Sequence, residues 1–367
     1  MFKGGESLQN ITMSTGGAYS LATRGAEDVI NASIPMVEEA LLKMELEEKR
    51  NFSFADMGCA DGGTSLQMIN QLITTLRSKK PNIEVKIHYT DQPNNDYNGL
   101  IQTVFGLGHF HSYLEKHQKV YPLFSANSFY KQILPDSSLD LGFSATAMHW
   151  LSKKPCDLNH HVHMVGAKGE ELAIFSEYGR RDWETILLHR SQELIPGGRM
   201  VLVNFGIDEE GRYLGNTFGV NMFETFNEIW KEFLESGRIS TNEYRRMTLP
   251  QYYNTVDEFS QPLTDPANPV FQSGLRLENI RTRIVPCPFA EEFKKHGDVK
   301  RFADEYIPTI RSWNQSIFMG ALDDSRPMQE RQELIESYYG TYNQRILDSP
   351  EGHGMDYVHA YMTIKKI

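Results

Sequence analysis

Residues 51–77 read NFSFADMGCADGGTSLQMINQLITTLR. The first seven alternate apolar and polar side chains, which predicts a strand running into a glycine turn. Residues 65–77 place apolar side chains at helical spacing, and a second strand-like segment, 83–89, is followed by Asp91. A strand, a helix and a second strand in this order form a β–α–β unit, which predicts parallel strands in one sheet.

The remainder of the chain extends this pattern and then changes it. Further strands are predicted at 121–125, 139–143 and 200–205, the last after a Pro196-Gly197-Gly198 turn. After Gly211 the pattern is mostly helical, and a proline-broken stretch covers 249–268. Strands resume at 277–285 and 357–364. The predicted fold class is α/β, a doubly wound, Rossmann-like sheet with a mostly helical cap.

The change of pattern also predicts the domain boundaries. They are an N-terminal lid segment at 1–30, a sheet core at 31–210, a helical cap insertion at 211–275, a core strand at 276–290, a second helical cap segment at 291–350 and a C-terminal core strand at 351–367. Ligands of such sheets bind outside the carboxyl ends of the strands. The predicted cap would enclose a ligand there.

Composition excludes several classes of function. The 367 residues carry 37 Lys+Arg and 48 Asp+Glu, a formal charge of 37 − 48 = −11, which argues against a nucleic-acid partner. There is no apolar run long enough for a membrane span. The polar start, MFKGGESLQN, predicts no secretory signal. Three scattered cysteines, Cys59, Cys156 and Cys287, favour free thiols and a cytoplasmic location. His160, His161 and His163 match no metal-ligand spacing and are interpreted as a solvated or interface cluster, so no metal is predicted.

The glycine turn after the first strand differs from a dinucleotide fingerprint. Its glycines are Gly58, Gly62 and Gly63, without the GxGxxG spacing, and Asp56 and Asp61 lie in the same loop. Two carboxylates would repel a pyrophosphate, whereas they would attract the ammonium group of an amino-acid moiety. The loop therefore favours S-adenosylmethionine (SAM) over a nicotinamide dinucleotide.

Two further signals lie at the ends of the next strands. Asp91 closes the second strand, where an acid can accept both hydroxyls of a ribose; a solvated turn or a helix cap is the alternative. Ser128, Phe129 and Tyr130 follow the third strand and could hold a flat adenine, although Phe129 could equally belong to the core.

Several longer segments resemble the plant-type salicylate/benzoate/theobromine (SABATH) methyltransferases. These enzymes transfer a methyl group from SAM to small carboxylic acids or, in some branches, to ring nitrogens. The matching segments are MSTGGAYS at 13–20, ADMGCADGGTS at 55–65, YTDQPNNDYN at 89–98, NSFY at 127–130, AMHWLS at 147–152 and ELIPGGRMVL at 193–202. The resemblance implies the sheet of class I SAM-dependent methyltransferases, SAM as cofactor, a small carboxylic acid as substrate and a homodimer.

The resemblance also implies roles for individual residues. Cofactor contacts are implied for Tyr19, Thr23, Asp56, Gly58, Cys59, Asp91, Gln92, Ser128, Phe129 and Ser144. The indole N–H of Trp150 would hold the substrate carboxylate, and His149 would donate a second hydrogen bond or carry a complementary charge. A buried aromatic pair closing the core is the alternative for His149 and Trp150. Phe318 and Met319 are implied as cap residues that contact the substrate.

One position departs from the family pattern. The family holds the carboxylate with a second donor, a glutamine, and the matching residue here is Ala26. Arg24 is a candidate replacement, because an arginine suits a carboxylate. A solvent-exposed cation at the start of a helix is the alternative for Arg24. Thr146 stands at the position of a pocket tyrosine, which predicts a wider pocket and a dicarboxylic or polar aromatic acid. An N-methyltransferase on the same scaffold and an inactive binding protein are the alternatives.

Overall fold

The computed structural model describes Met13 and residues 18–217 and 219–367. Residues 1–12 and 14–17, which belong to the predicted lid segment, lie outside the described residues. Within the described part of the chain, no helix is long and apolar enough to cross a membrane.

The strands form one eight-stranded sheet. Their bounds are β1 Asn51–Met57, β2 Glu84–Asp91, β3 Val120–Ala126, β4 Leu139–Ala145, β5 Leu194–Ile207, β6 Asn254–Thr255, β7 Leu275–Val285 and β8 Tyr357–Lys366. The order is β3-β2-β1-β4-β5-β8-β7, and β6 pairs with β5. Strands β1 to β5 pair in parallel, while β8 is antiparallel to both β5 and β7. The α/β prediction with a Rossmann-like sheet is confirmed.

Strand order determines where this sheet can bind a ligand. From β1 the chain first adds β2 and β3 on one side, and it then returns to add β4 and β5 on the other. The crevice therefore opens at the carboxyl ends of β1 and β4, where the loops leave in opposite directions.

Helices cover both faces of the sheet and build the cap. They are α1 Ala18–Ala22, α2 Arg24–Leu42, α3 Leu66–Lys79, α4 Tyr97–Val104, α5 Gly169–Glu193, α6 Met222–Glu235, α7 Thr241–Arg246, α8 Val256–Thr264, α9 Pro269–Gln272, α10 Pro288–His296, α11 Val299–Ala321 and α12 Met328–Asp348. One apolar core joins α2, α3 and the cap helices to the sheet, and a second lies under α5, α8 and α9. Strand β1 serves both cores, because Phe52 and Phe54 belong to the first and Ala55 and Met57 to the second.

Two local predictions differ from the structure. The Pro196-Gly197-Gly198 turn lies inside β5, and the ladder accommodates it as an irregularity: Leu139 pairs with Leu194, but Leu141 already pairs with Arg199. The proline-broken stretch 249–268 contains β6 and α8. Helix α8 is started by a capping box between Thr255 and Glu258 and includes Pro262.

Candidate active site

A cavity of about 860 Å³ lies at the carboxyl ends of β1, β2 and β4. Seven of the residues predicted to contact the cofactor line it: Tyr19, Asp56, Gly58, Cys59, Asp91, Gln92 and Phe129. They come from separate segments that the switch in strand order brings to one edge of the sheet. We call this the cofactor cavity.

Gly58 forms the floor of the turn after β1. Its φ is +79°, a conformation that favours glycine, and its N–H donates to the Thr90 carbonyl at 2.8 Å. A Cβ at this position would lie 2.5 Å from the Cβ of Ala147. Only a glycine therefore allows the loop after β4 to pack against this turn and leaves the backbone open to a ligand.

Asp91 is held in place by two backbone donors. The Ala60 N–H donates to Oδ2 and the Gln92 N–H donates to Oδ1, both at 2.7 Å. Burial raises the pKa of this carboxyl group, and these two hydrogen bonds oppose the shift. Each carboxylate oxygen has more than one acceptor site, so a fixed acceptor for two hydroxyl groups remains on the cavity side.

The second carboxylate of the cofactor cavity belongs to Asp56. The Ser65 hydroxyl donates to its Oδ2 at 2.6 Å. Burial raises the pKa of Asp56 to about 7, and the Ser65 hydrogen bond opposes this rise. A cationic ligand would therefore favour the ionised form of Asp56.

Asp61, expected to face the cationic ligand, has a different structural role. It accepts hydrogen bonds from the backbone N–H of Ser20, at 3.0 Å, and from the Ser20 hydroxyl. These bonds tie α1 to the glycine loop. Another hydrogen bond joins α1 to α11, since the Thr309 hydroxyl donates to the Ala22 carbonyl at 2.6 Å.

A second cavity of about 400 Å³ adjoins the first, and we call it the acceptor cavity. About half of the described residues that line it carry aromatic rings, namely Tyr19, His149, Trp150, Phe205, Trp313 and Tyr357, and Gln251 lies among them. Met13, Tyr19, Thr146 and Trp150 line both cavities. A molecule in one cavity therefore lies next to a molecule in the other.

Thr146 lies between the two cavities in an unusual backbone conformation. Its φ is +53°, an outlier for a β-branched residue. The Thr146 side chain is hydrogen-bonded to Tyr19, whose pKa burial raises to about 12, so that the phenol stays protonated at neutral pH. The junction between the cavities therefore has a hydroxyl group on each side and no charge.

The buried ring of His149 lines the acceptor cavity and lies against Phe205, with ring centroids 4.7 Å apart. Burial lowers its pKa to about 3, so the imidazole is neutral near pH 7. In the free enzyme His149 therefore carries no positive charge to complement the acid. A neutral ring can still donate one hydrogen bond.

Family comparison agrees with this geometry. Residues 9–317 match the family model described as SAM dependent carboxyl methyltransferase. The chain belongs to this family. The predicted SABATH resemblance is thereby confirmed, and with it SAM as cofactor and enzymatic carboxyl O-methylation as function.

Relatives of this methyltransferase match it over about two thirds of its length or more. It is 27% identical over 357 residues to S-adenosyl-L-methionine:benzoic acid/salicylic acid carboxyl methyltransferase 1 of Petunia hybrida, covering 93% of each chain. It is 26% identical over 262 residues to farnesoic acid carboxyl-O-methyltransferase of Arabidopsis thaliana, covering 65% of this chain and 69% of that protein. A solved structure, loganic acid methyltransferase with SAH, is 20% identical and superposes with a TM-score of 0.73, covering 100% of this chain and 98% of that one.

The methyltransferase places two predicted substrate contacts away from its acceptor cavity. The guanidinium of Arg24 is 46% exposed, pairs with Glu292 at 2.7 Å and lies 5.5 Å from the ring centroid of Phe289. Phe318 is fully buried inside the cap, where it packs against Trp230 and Tyr338. Their assignment as substrate contacts is therefore corrected, since neither lines either cavity.

Four other residues predicted to contact the cofactor or the substrate do not line the predicted cavity. Met319 is half-buried on the cap and lines neither cavity, and its carbonyl accepts from Arg331. Ser144 is fully buried and donates to the Met57 carbonyl at 2.7 Å, whereas the Ser128 hydroxyl accepts from the Tyr130 N–H at 3.3 Å. Thr23 lines the acceptor cavity instead of the cofactor cavity. The hydroxyl groups of Ser144 and Ser128 are therefore bonded to backbone groups of the protein.

The histidine cluster is also corrected. His160 is exposed as predicted, but His161 and His163 are buried. Residues described in the structure form no group of three or more side chains suited to a metal ion. His163 instead stacks on Phe223, with ring centroids 4.0 Å apart, and is hydrogen-bonded to Gln251.

Sequence reasoning missed several walls of the acceptor cavity, among them Phe205, Tyr357 and Gln251. Phe205 lies near the end of β5, Tyr357 begins β8, and Gln251 lies in the segment interpreted as a proline-broken stretch. No local pattern marks them, because each belongs to a different element and the cavity forms only when the cap folds over the sheet.

Proposed function

We propose that this enzyme forms the methyl ester of a small aromatic or otherwise apolar carboxylic acid bound in the acceptor cavity. The observation that carries the proposal is the direct junction between a cavity lined by carboxylates and one lined by aromatic rings. Aromatic and aliphatic walls with a few polar groups suit a small, mostly apolar ligand. Because Arg24 lies elsewhere, the argument for a dicarboxylic acid loses its support.

The residues of the cofactor cavity fit SAM. Asp91 would accept the ribose hydroxyls, Asp56 would attract the ammonium group, and Phe129 would contact the adenine. The turn at Gly58 would bring backbone atoms close to the ligand. Tyr19 and Cys59 would add further contacts, as would Gln92. When bound, SAM supplies a methyl group on a positively charged sulfur.

The acceptor cavity would act by positioning the acid. A carboxylate is already ionised near neutral pH, so no general base is required. The Trp150 indole N–H would hold one carboxylate oxygen and leave the other free to attack, while Thr146 and His149 would complete the polar surroundings. Orientation of two reactants with water excluded can contribute up to roughly 7–11 kcal/mol to lowering a barrier.

A panel assay tests this function. The purified enzyme with SAM should methylate at least one of benzoate, salicylate and farnesoate, and the product should be hydrolysed by mild base, as a methyl ester is. Heterocycles with ring nitrogens serve as the comparison substrates. A base-stable methylated heterocycle and no ester would overturn the proposal in favour of N-methylation.

The pKa of Asp56 predicts how cofactor affinity depends on pH. In the free enzyme the Asp56 pKa is about 7, and a bound ammonium group should lower it. Binding then releases a proton below pH 7, so the affinity for S-adenosylhomocysteine should fall by about tenfold for each pH unit below the free-enzyme value. Calorimetry at pH 6 and pH 8, in buffers of different ionisation enthalpy, measures both the affinity and the proton release.

Asp56→Asn is the matched variant for this pH effect. It cannot ionise, so it should bind S-adenosylhomocysteine more weakly and with the same affinity at both pH values. An unchanged pH slope in the variant would assign the proton to another group.

We also propose a cytoplasmic homodimer. The SABATH resemblance supports the dimer, and the three free cysteines, two of them buried, support a reducing compartment. Sedimentation velocity would measure the oligomeric state directly.

A further inference from the structure

The segment around Gln251 is fixed to the segment that carries Trp150. Gln251 and Trp150 form an antiparallel β-bridge. The Leu151 N–H donates to the Pro250 carbonyl at 2.8 Å, and the Tyr252 N–H donates to the His149 carbonyl at 2.9 Å. Side chains of directly paired residues point to the same face of a ladder. Trp150 and Gln251 accordingly line the same acceptor cavity.

The amide oxygen of Gln251 is already used. It accepts a hydrogen bond from the Tyr253 hydroxyl at 3.1 Å and lies 3.2 Å from Nε2 of His163. The Val165 N–H donates to Nδ1 of His163 at 3.3 Å, so the proton of this neutral ring is on Nε2 and points at the Gln251 oxygen. Two donors therefore occupy both acceptor sites of this oxygen and determine which way the amide is turned.

The amide nitrogen of Gln251 is the other polar atom of the side chain. It makes no hydrogen bond to any residue that the structure describes, although the residue is only 1% exposed. On a cavity wall, an N–H₂ group without a protein partner favours a ligand that can accept hydrogen bonds.

Ala26 stands where the family has a glutamine that donates to the substrate carboxylate. It lines the same cavity, at 2% exposure, but its methyl group cannot donate a hydrogen bond. We propose that Gln251 replaces the missing glutamine: its amide N–H₂ donates to the substrate carboxylate, beside the indole N–H of Trp150. This inference rests on the proposed function, since it assigns a residue to the acid that the enzyme methylates.

Holding the carboxylate between Trp150 and Gln251 has a consequence for specificity. Two neutral donors on one carboxylate orient its plane without a cation, which matches the absence of any Lys or Arg among the described residues lining this cavity. A neutral amide or ester accepts weaker hydrogen bonds than a carboxylate does. The cavity should therefore prefer the acid over its methyl ester, which favours release of the product.

The test measures acid binding and turnover separately. Benzoate and salicylate are titrated into the complex with S-adenosylhomocysteine, and KM for the better acid is measured with SAM. Gln251→Leu should weaken acid binding and raise KM by about 10- to 100-fold, because a charge-assisted hydrogen bond is lost. Affinity for S-adenosylhomocysteine should stay within about twofold. Gln344→Leu, which removes an exposed glutamine on α12, is the matched control.

A rescue variant distinguishes loss of the donor from any other effect of the leucine, because only a returned donor should restore acid binding. Ala26→Gln in the Gln251→Leu background should recover at least about tenfold of the lost acid affinity, by returning a donor to the cavity. Acid binding by Gln251→Leu equal to that of the wild type would overturn the role of Gln251 alone. If the wild-type complex binds and methylates neither benzoate, salicylate nor farnesoate, the proposed function itself fails, and the role of Gln251 with it.

Discussion

Replacing Asp91 by alanine should weaken the binding of S-adenosylhomocysteine by about 100-fold. Asp91 is the acceptor proposed for two ribose hydroxyls, and each hydrogen bond to a charged group is worth about 1.5–3 kcal/mol. The two backbone donors of Ala60 and Gln92 would also lose their partner, at 2.7 Å each in the wild type. Calorimetry with S-adenosylhomocysteine measures the change without requiring turnover.

Asp140→Ala is the matched control for this loss. Asp140 is equally an acid with a backbone partner, since it accepts the Ser53 N–H at 2.7 Å, and it is also paired with Lys49. It lies at the start of β4, whereas the cofactor cavity lies beyond the other end of that strand. The control should lower the melting temperature and leave cofactor affinity unchanged. Wild-type affinity in Asp91→Ala would refute the ribose assignment.

Trp150→Phe should lower kcat/KM for the acid by about 30-fold while changing the affinity for S-adenosylhomocysteine by less than about threefold. Phenylalanine retains an aromatic wall but has no N–H to hold the carboxylate, and one hydrogen bond to a charged group accounts for a loss of this size. Steady-state kinetics with the best acid from the panel, together with calorimetry, separate the two effects.

Trp183→Phe provides the comparison. The Trp183 indole N–H donates to the Phe259 carbonyl at 3.2 Å within the second core, under α5 and α8. Its replacement removes an equally buried indole donor away from both cavities, so it should reduce stability and leave KM unchanged. Equal kinetic losses in the two variants would show that Trp150 acts through stability and does not bind the acid.

The cofactor half of the site could be predicted from sequence because its signals are local. Asp56 and Gly58 follow a strand directly, and Asp91 ends the next one, so the parallel order of the strands is enough to bring them to one edge. Ser144 shows the limit of this reasoning. It lies on a strand that ends at the cavity, yet its hydroxyl is turned to the Met57 carbonyl.

The acceptor half depends on side-chain direction and on distant contacts. Arg24 and Ala26 are two residues apart on α2, which is about 200° around a helix, so only one of them can face the cavity. Trp313 and Phe318 also point in different directions from α11, and only Trp313 lines the acceptor cavity. Gln251 becomes visible only through its β-bridge to Trp150, a pairing that sequence patterns do not contain.

The shared wall of Met13, Tyr19, Thr146 and Trp150 has a thermodynamic consequence. Because the same four residues would contact both ligands, occupancy of one cavity should change the free energy of filling the other. Such coupling is reciprocal: the factor by which the cofactor tightens the acid is the factor by which the acid tightens the cofactor. The potency of an inhibitor designed for the acceptor cavity will consequently depend on whether SAM or S-adenosylhomocysteine occupies the cofactor cavity in the cell.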